Sequence, residues 1–172
     1  MSKVDHEPAP PGLTRWMGLA LLIVILDQVT KVMADASMTY GQRISVLPVF
    51  DFTLLYNPGA AFSFLANQPG WQRWFFTLVA LLAIAFILYM MRKHRSDTRF
   101  LLALTLILGG AVGNLIDRVL YGHVIDFLLF YWDKWHYPAF NLADSAITVG
   151  AVLLIADELL RWRKKKDARI KG

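Results

Sequence analysis

Two aspartates in this chain sit where an acid is least expected. Asp126 lies between Val124-Ile125 and Phe127-Leu128, and Asp144 closes the segment Phe140-Asn141-Leu142-Ala143-Asp144. Neither has a basic residue next to it in the sequence. Two carboxyls brought together in apolar surroundings cannot both ionise easily, so they share a proton. One can then act as a base on water while the other, protonated, polarises a carbonyl. That chemistry hydrolyses an amide without metal or thiol, and it suits a chain with no cysteine. Spacing alone leaves an alternative open, in which each aspartate caps a helix or pairs with Arg118.

Other polar groups interrupt the same apolar stretches. Asp27 and Lys31 are four apart, so on a helix they share a face and can pair. They can form a structural ion pair or contact a substrate directly. Asn114, Asp117 and Arg118 follow Gly109, Gly110 and Gly113. Small residues let helices approach closely, so this stretch reads either as a packing face with a satisfied polar network or as a place where Asn114 and Arg118 hydrogen-bond a substrate backbone. Arg118 can also snorkel to the membrane boundary. Ser63 or Ser145 with Lys31 would imitate a serine–lysine dyad, but nothing ties Lys31 to either serine. His123, three before Asp126, has a metal-ligand spacing, although a lone histidine at a boundary more simply faces water. No cofactor and no metal are expected.

The elements that must position these groups are membrane helices. Of 172 residues, 56% are hydrophobic and 18% charged, against about 25% charged in an ordinary soluble domain. Four apolar runs, at about 13–33, 71–91, 100–120 and 139–162, each approach the roughly 20 residues a spanning helix needs. The fold class expected is an all-α membrane protein with four transmembrane helices. The chain divides into a flexible tail over 1–12, one membrane domain over 13–162 and a basic tail over 163–172. A cleaved signal peptide is a rival reading of the first run, with Ala34-Asp35-Ala36 as the cleavage site. Asp27, Gln28 and Lys31 break that run where a signal peptide would be apolar.

The Lys and Arg count sets orientation. Arg92, Lys93, Arg95 and Arg99 lie between the second and third runs, and seven of the eighteen basic residues lie from Arg161 to Lys171. Both termini and the 92–99 loop are therefore expected in the cytoplasm, with 34–70 and 121–140 outside. The net charge of +5 then marks a membrane face, and no nucleic-acid partner is expected. Val46, Val49, Phe50, Phe52 and Leu54, ahead of the Asn57-Pro58-Gly59 turn signal, suggest a small outer sheet. The aromatic segment from Phe127 to Phe140 belongs at the membrane–water boundary. In this topology the intramembrane charges gather toward the outer face. A proton-coupled carrier would hold its acids near the midplane, reachable from both sides.

Five segments carry a resemblance over about 16–160: Asp27-Gln28-Val29-Thr30-Lys31; Asn57-Pro58-Gly59-Ala60-Ala61-Phe62; Gly109 through Arg118; Gly122-His123-Val124-Ile125-Asp126-Phe127; and Phe140-Asn141-Leu142-Ala143-Asp144-Ser145. In these the chain resembles the bacterial lipoprotein signal peptidases, or signal peptidase II. The resemblance implies four transmembrane helices with a small extracytoplasmic β-cradle in the bacterial inner membrane. It implies an aspartic endopeptidase with Asp126 and Asp144 as the catalytic pair. Its substrate would be a diacylglyceryl-modified prolipoprotein, cut just before the lipidated cysteine. Asn57, Asn114, Arg118 and Asn141 would lie near the substrate, and Asp27, Lys31 and Asp117 would hold the site. Membrane lipid would surround it, and cyclic peptide antibiotics would occupy the cleft as inhibitors.

Overall fold

A computed structural model describes residues 12–59 and 71–171. Four long helices and one small sheet make up these residues. In chain order they are α1 (Thr14–Ser37), β1 (Arg43–Leu47), β2 (Phe50–Asn57), α2 (Trp71–Lys93), α3 (Thr98–Leu120), β3 (Val124–Trp132), β4 (Trp135–His136) and α4 (Leu142–Lys171). Residues 1–11 of the tail expected over 1–12, Ser63, and Ala60, Ala61 and Phe62 of the second motif lie outside the described residues.

The helices follow the apolar runs. Helices α1, α2 and α3 are each long and apolar enough to cross a membrane. At 30 residues, α4 is also long enough, but any span-length stretch of it takes in Asp157 and Glu158 together with Asp144 or Arg161. By length and composition, then, three of the four expected spans are found. Residues 163–171, expected as a basic tail, continue α4 as helix.

Helix α3 lies at the centre and packs against α1, α2 and α4. Its glycines make this possible. A Cβ at Gly110 would collide with the Ala143 carbonyl of α4, and one at Gly113 with the Asp27 carboxylate of α1. The other helices leave large apolar side chains outside, including Leu22, Leu82, Phe86 and Val152. Water would penalise such a surface, and hydrocarbon accepts it.

The sheet is antiparallel in the order β1-β2-β3-β4. The expected outer sheet in 34–70 is present as β1 and β2. The aromatic segment is more ordered than a boundary girdle, because it supplies β3 and β4. Aromatic residues favour strands as readily as interfaces, so composition could not separate the two. Helix α3 hands over to β3 through Gly122, whose φ of 82° suits glycine. The Tyr121 and Gly122 N–H groups donate to the Asp117 and Arg118 carbonyls as the helix ends.

Candidate active site

Asp126 is the third residue of β3 and pairs with Leu55 of β2. Asn57, two residues on, therefore shares its face of the sheet, and its Nδ2 donates to Asp126 Oδ2 at 3.1 Å. The segment that leads to Asp144 returns beside β3. Phe140 N–H donates to the Leu128 carbonyl at 3.0 Å, and its carbonyl accepts from Leu128 N–H at 2.9 Å. That pairing brings the next residue, Asn141, within reach of Asp126, and its Nδ2 donates to Asp126 Oδ1 at 2.8 Å.

Asn141 is also the N-cap of α4. Its Oδ1 accepts from Asp144 N–H at 2.9 Å, and its own N–H donates to Asp144 Oδ2 at 3.3 Å. This reciprocal arrangement is a capping box, with Asp144 in the third helical position. The helix-capping alternative thus holds for Asp144 Oδ2. The other oxygen, Oδ1, accepts from Asn114 Nδ2 of α3 at 2.7 Å. One asparagine therefore touches both aspartates.

Behind the pair lies a buried ionic network. Lys31 is 1% exposed, and its ammonium has three donors. They meet Asp27 Oδ2 at 2.8 Å, Asp117 Oδ2 at 2.9 Å and Asn114 Oδ1 at 2.9 Å. Asp27 and Lys31 do pair, and all three Lys31 hydrogens are taken within the protein. None is left for Ser145, whose hydroxyl donates to the Asn141 carbonyl at 2.9 Å. Because Lys31 donates to Asn114 Oδ1, the amide nitrogen of Asn114 must point at Asp144. Asp27 Oδ1 accepts from Ala143 N–H at 2.9 Å and so anchors the start of α4 to α1. Asp117 Oδ2 accepts from Ile125 N–H at 3.1 Å and so anchors the start of β3.

Gln28 is a member that sequence reasoning passed over. Its Nε2 reaches Asp117 Oδ1 at 2.9 Å and the Gly113 carbonyl at 3.2 Å. An amide beside Asp27 inside an apolar run was the available signal. The His123 ring meets Tyr56 in a tilted arrangement at 4.4 Å between ring centroids.

Arg118 attends the pair, although it is adjacent to neither aspartate in the sequence. It lies close enough to Asp144, Asp126 and Asp117 to interact electrostatically with each. The helical turn from Asp117 brings it there, a proximity the linear sequence does not display for Asp126 or Asp144. Its Nη1 donates to the Asn114 carbonyl at 3.3 Å, its guanidinium sits 5.8 Å from the Phe76 ring centroid, and its buried Nε has no partner among the described residues.

Burial pushes the Asp126 carboxyl up to about 7, and the charge of Asp144 pushes the same way. The hydrogen bonds from Asn57 and Asn141 oppose this by favouring the charged form.

The model of the family described as signal peptidase (SPase) II matches residues 19–160. The chain belongs to the signal peptidase II family. A lipoprotein signal peptidase of Paraburkholderia phymatum is 51% identical over 163 residues, which is 95% of this chain and 98% of that protein. One of Burkholderia mallei is 52% identical with the same coverage. Two solved structures, each described as a bacterial membrane enzyme, superpose with TM-scores of 0.82 and 0.78 at 31% identity. They cover 93% and 90% of this chain, and 96% and 98% of their own. Membership makes the chain a membrane peptidase, a hydrolase of peptide bonds.

Proposed function

We propose that this signal peptidase II removes the signal peptide from diacylglyceryl-modified prolipoproteins, cutting before the lipidated cysteine, with Asp126 and Asp144 as an aspartic catalytic pair. The observation that carries the reading is the shared asparagine. Asn141 contacts both carboxyls, and burial beside Asp144 holds the Asp126 carboxyl at about 7. With its carboxyl at about 7, Asp126 can hold a proton near neutral pH.

In this mechanism Asp144 is the base and takes a proton from water as the oxygen attacks the scissile carbonyl. Asp126 gives its proton to the carbonyl oxygen, so the tetrahedral intermediate forms as a neutral diol. On collapse, Asp144 passes its proton to the leaving amine, and the diol returns one to Asp126. Both carboxyls end as they began. Arg118 contributes an Nε that has no partner among the described residues, and Asn57, Asn114 and Asn141 hold the carboxyls in place beside the substrate backbone. Asp27, Lys31 and Asp117 support them from below. Cyclic peptides that mimic the extended substrate would inhibit by filling the same cleft.

For localisation, we propose the bacterial inner membrane with α4 as a fourth span and both termini cytoplasmic. The pairing of Asp157 favours this, because its Oδ2 accepts from Arg161 Nε at 2.6 Å and the charge is thereby compensated. Residues 13–162 form the one membrane domain, flanked by cytoplasmic tails.

The test is cleavage of a lipidated precursor by purified Asp126→Asn and Asp144→Asn proteins, with insertion checked for each. Each single change removes nearly all activity and the double change adds little, because the two act as one unit. Cleavage near the wild-type rate by either correctly inserted variant refutes the dyad.

A further inference from the structure

We propose that the groove beside Asp144, between the β3–β4 hairpin and the outer turns of α4, holds an acyl chain of the lipid-modified cysteine; this rests on the peptidase reading above. The groove encloses about 490 Å3. Trp135, Tyr137 and Phe140 form one wall, and Asp144, Thr148 and Val149 form the other. The rings pack on one another: Trp135 and Tyr137 lie 6.3 Å apart, and Tyr137 meets Phe140 edge to face at 6.0 Å. Such a wall is apolar with a polar rim, as at a membrane boundary.

Two features select the acyl chain. The first is position. The glyceride hangs from the residue immediately after the scissile bond, so its chains start within one residue of the carboxyl pair. This groove has Asp144 in its own wall. A second apolar groove, about 310 Å3 between the end of α1 and the sheet, contains neither aspartate. Phe127 lines that one, and as the neighbour of Asp126 in a strand it points to the opposite face. The second feature is continuity. Below Val149 the same helix leaves Val152, Ile155 and Leu159 more than half exposed, so an apolar chain can pass from groove to bilayer without crossing a polar barrier. The signal peptide does not compete for the same start, because the segment at the carboxyl pair must be extended and its apolar helix begins farther upstream.

The test uses the full-length protein in lipid nanodiscs and synthetic precursors carrying either two palmitoyl or two hexanoyl chains. Val149→Trp and Thr148→Trp fill the groove. With kcat retained, KM for the palmitoyl precursor rises about tenfold, as expected when a few buried methylenes lose their place, and KM for the hexanoyl precursor rises less than about twofold. Equal losses for both precursors assign the groove to the peptide and overturn the proposal, as does no loss for either. A second measurement needs no groove variant. Asp126→Asn protein is irradiated with a precursor bearing a diazirine at the end of one acyl chain. Adducts on Tyr137, Thr148 or Val149 support the assignment, and adducts confined to Met33–Met38 overturn it. Cleavage of the precursor by the Asp126→Asn protein is a separate result, which overturns the dyad itself.

Discussion

At the scale of single residues, the site is a problem of satisfied donors. The three hydrogens of Lys31 meet three acceptors, and each of those acceptors fixes something else: Asp27 the start of α4, Asp117 the start of β3, Asn114 the orientation of its amide toward Asp144. Lys31→Met leaves two buried carboxylates without their cation. Breaking a buried pair in this way costs about 3–5 kcal/mol, so thermal unfolding in detergent should show a large loss of stability; an unchanged midpoint would mean the network holds nothing. Asp126 behaves in the opposite sense. Its carboxyl, near 3.8 when unfolded, sits at about 7 in the folded protein. Folding therefore strengthens its hold on a proton, and stability falls as pH rises from about 4 to about 7, by an upper bound of about 4 kcal/mol. Asp126→Asn removes that penalty. Its melting temperature should match wild type near pH 4 and exceed it increasingly up to pH 7. In the wild type, cleavage should decline as pH rises through about 7, since the mechanism needs Asp126 protonated; flat activity from pH 6 to 8.5 would argue against Asp126 as the acid. The apparent values belong to the pair.

Among the elements, α3 and the returning segment at Phe140 do most of the positioning. α3 can carry Asn114 to Asp144 only because Gly110 admits the Ala143 carbonyl. Gly110→Val would push α4 outward, and overpacking of this kind costs about 1–3 kcal/mol. Because the displacement falls at the first turn of α4, activity should drop further than stability does. Comparing residual cleavage with the melting temperature of the variant separates the two; a variant that is less stable yet fully active would show that α4 tolerates the shift. The pairing of Phe140 with Leu128 does for Asp126 what the capping box does for Asp144. Neither carboxyl relies on a loop for its place, which suits a site whose geometry has to persist through a catalytic cycle.

For the whole molecule, the decisive feature is polarity along the membrane normal. Arg92, Lys93, Arg95 and Arg99 lie at one end of the helices, and the sheet and carboxyl pair lie at the other. At the basic end, Arg161 bridges Asp157 and Asp97 and so ties α4 to the start of α3. Reporter fusions at residues 95 and 165 should read cytoplasmic, and fusions at 45 and 133 external. A cytoplasmic signal at 133 would put the β3–β4 hairpin, and the active site with it, on the wrong side. Odd topology, with 165 external, would mean that α4 does not span.

The sequence by itself determined the parts that depend on local composition. Apolar runs of span length mark α1, α2 and α3 because a helix is the open-ended way to satisfy its own backbone in hydrocarbon. The cost of a charged or polar group in an apolar run marks Asp27, Lys31, Asn114, Asp117, Arg118 and Asp144 as special wherever they end up. What the sequence could not contain is which of these groups meet. Asp27 and Ala143 are far apart in the chain, as are Asn57 and Asp126, and only the packing of α1 on α4 and of β2 on β3 joins them. Helical and strand periods specify the face a residue occupies, not the partner opposite. The aromatic segment fell short for a related reason, because β-propensity and interfacial preference select the same side chains, and only hydrogen-bond register separates them. The role of Gln28 and the approach of Arg118 to both carboxyls were likewise decided by the tertiary structure, in the few ångströms that Gly110 and Gly113 allow between helices.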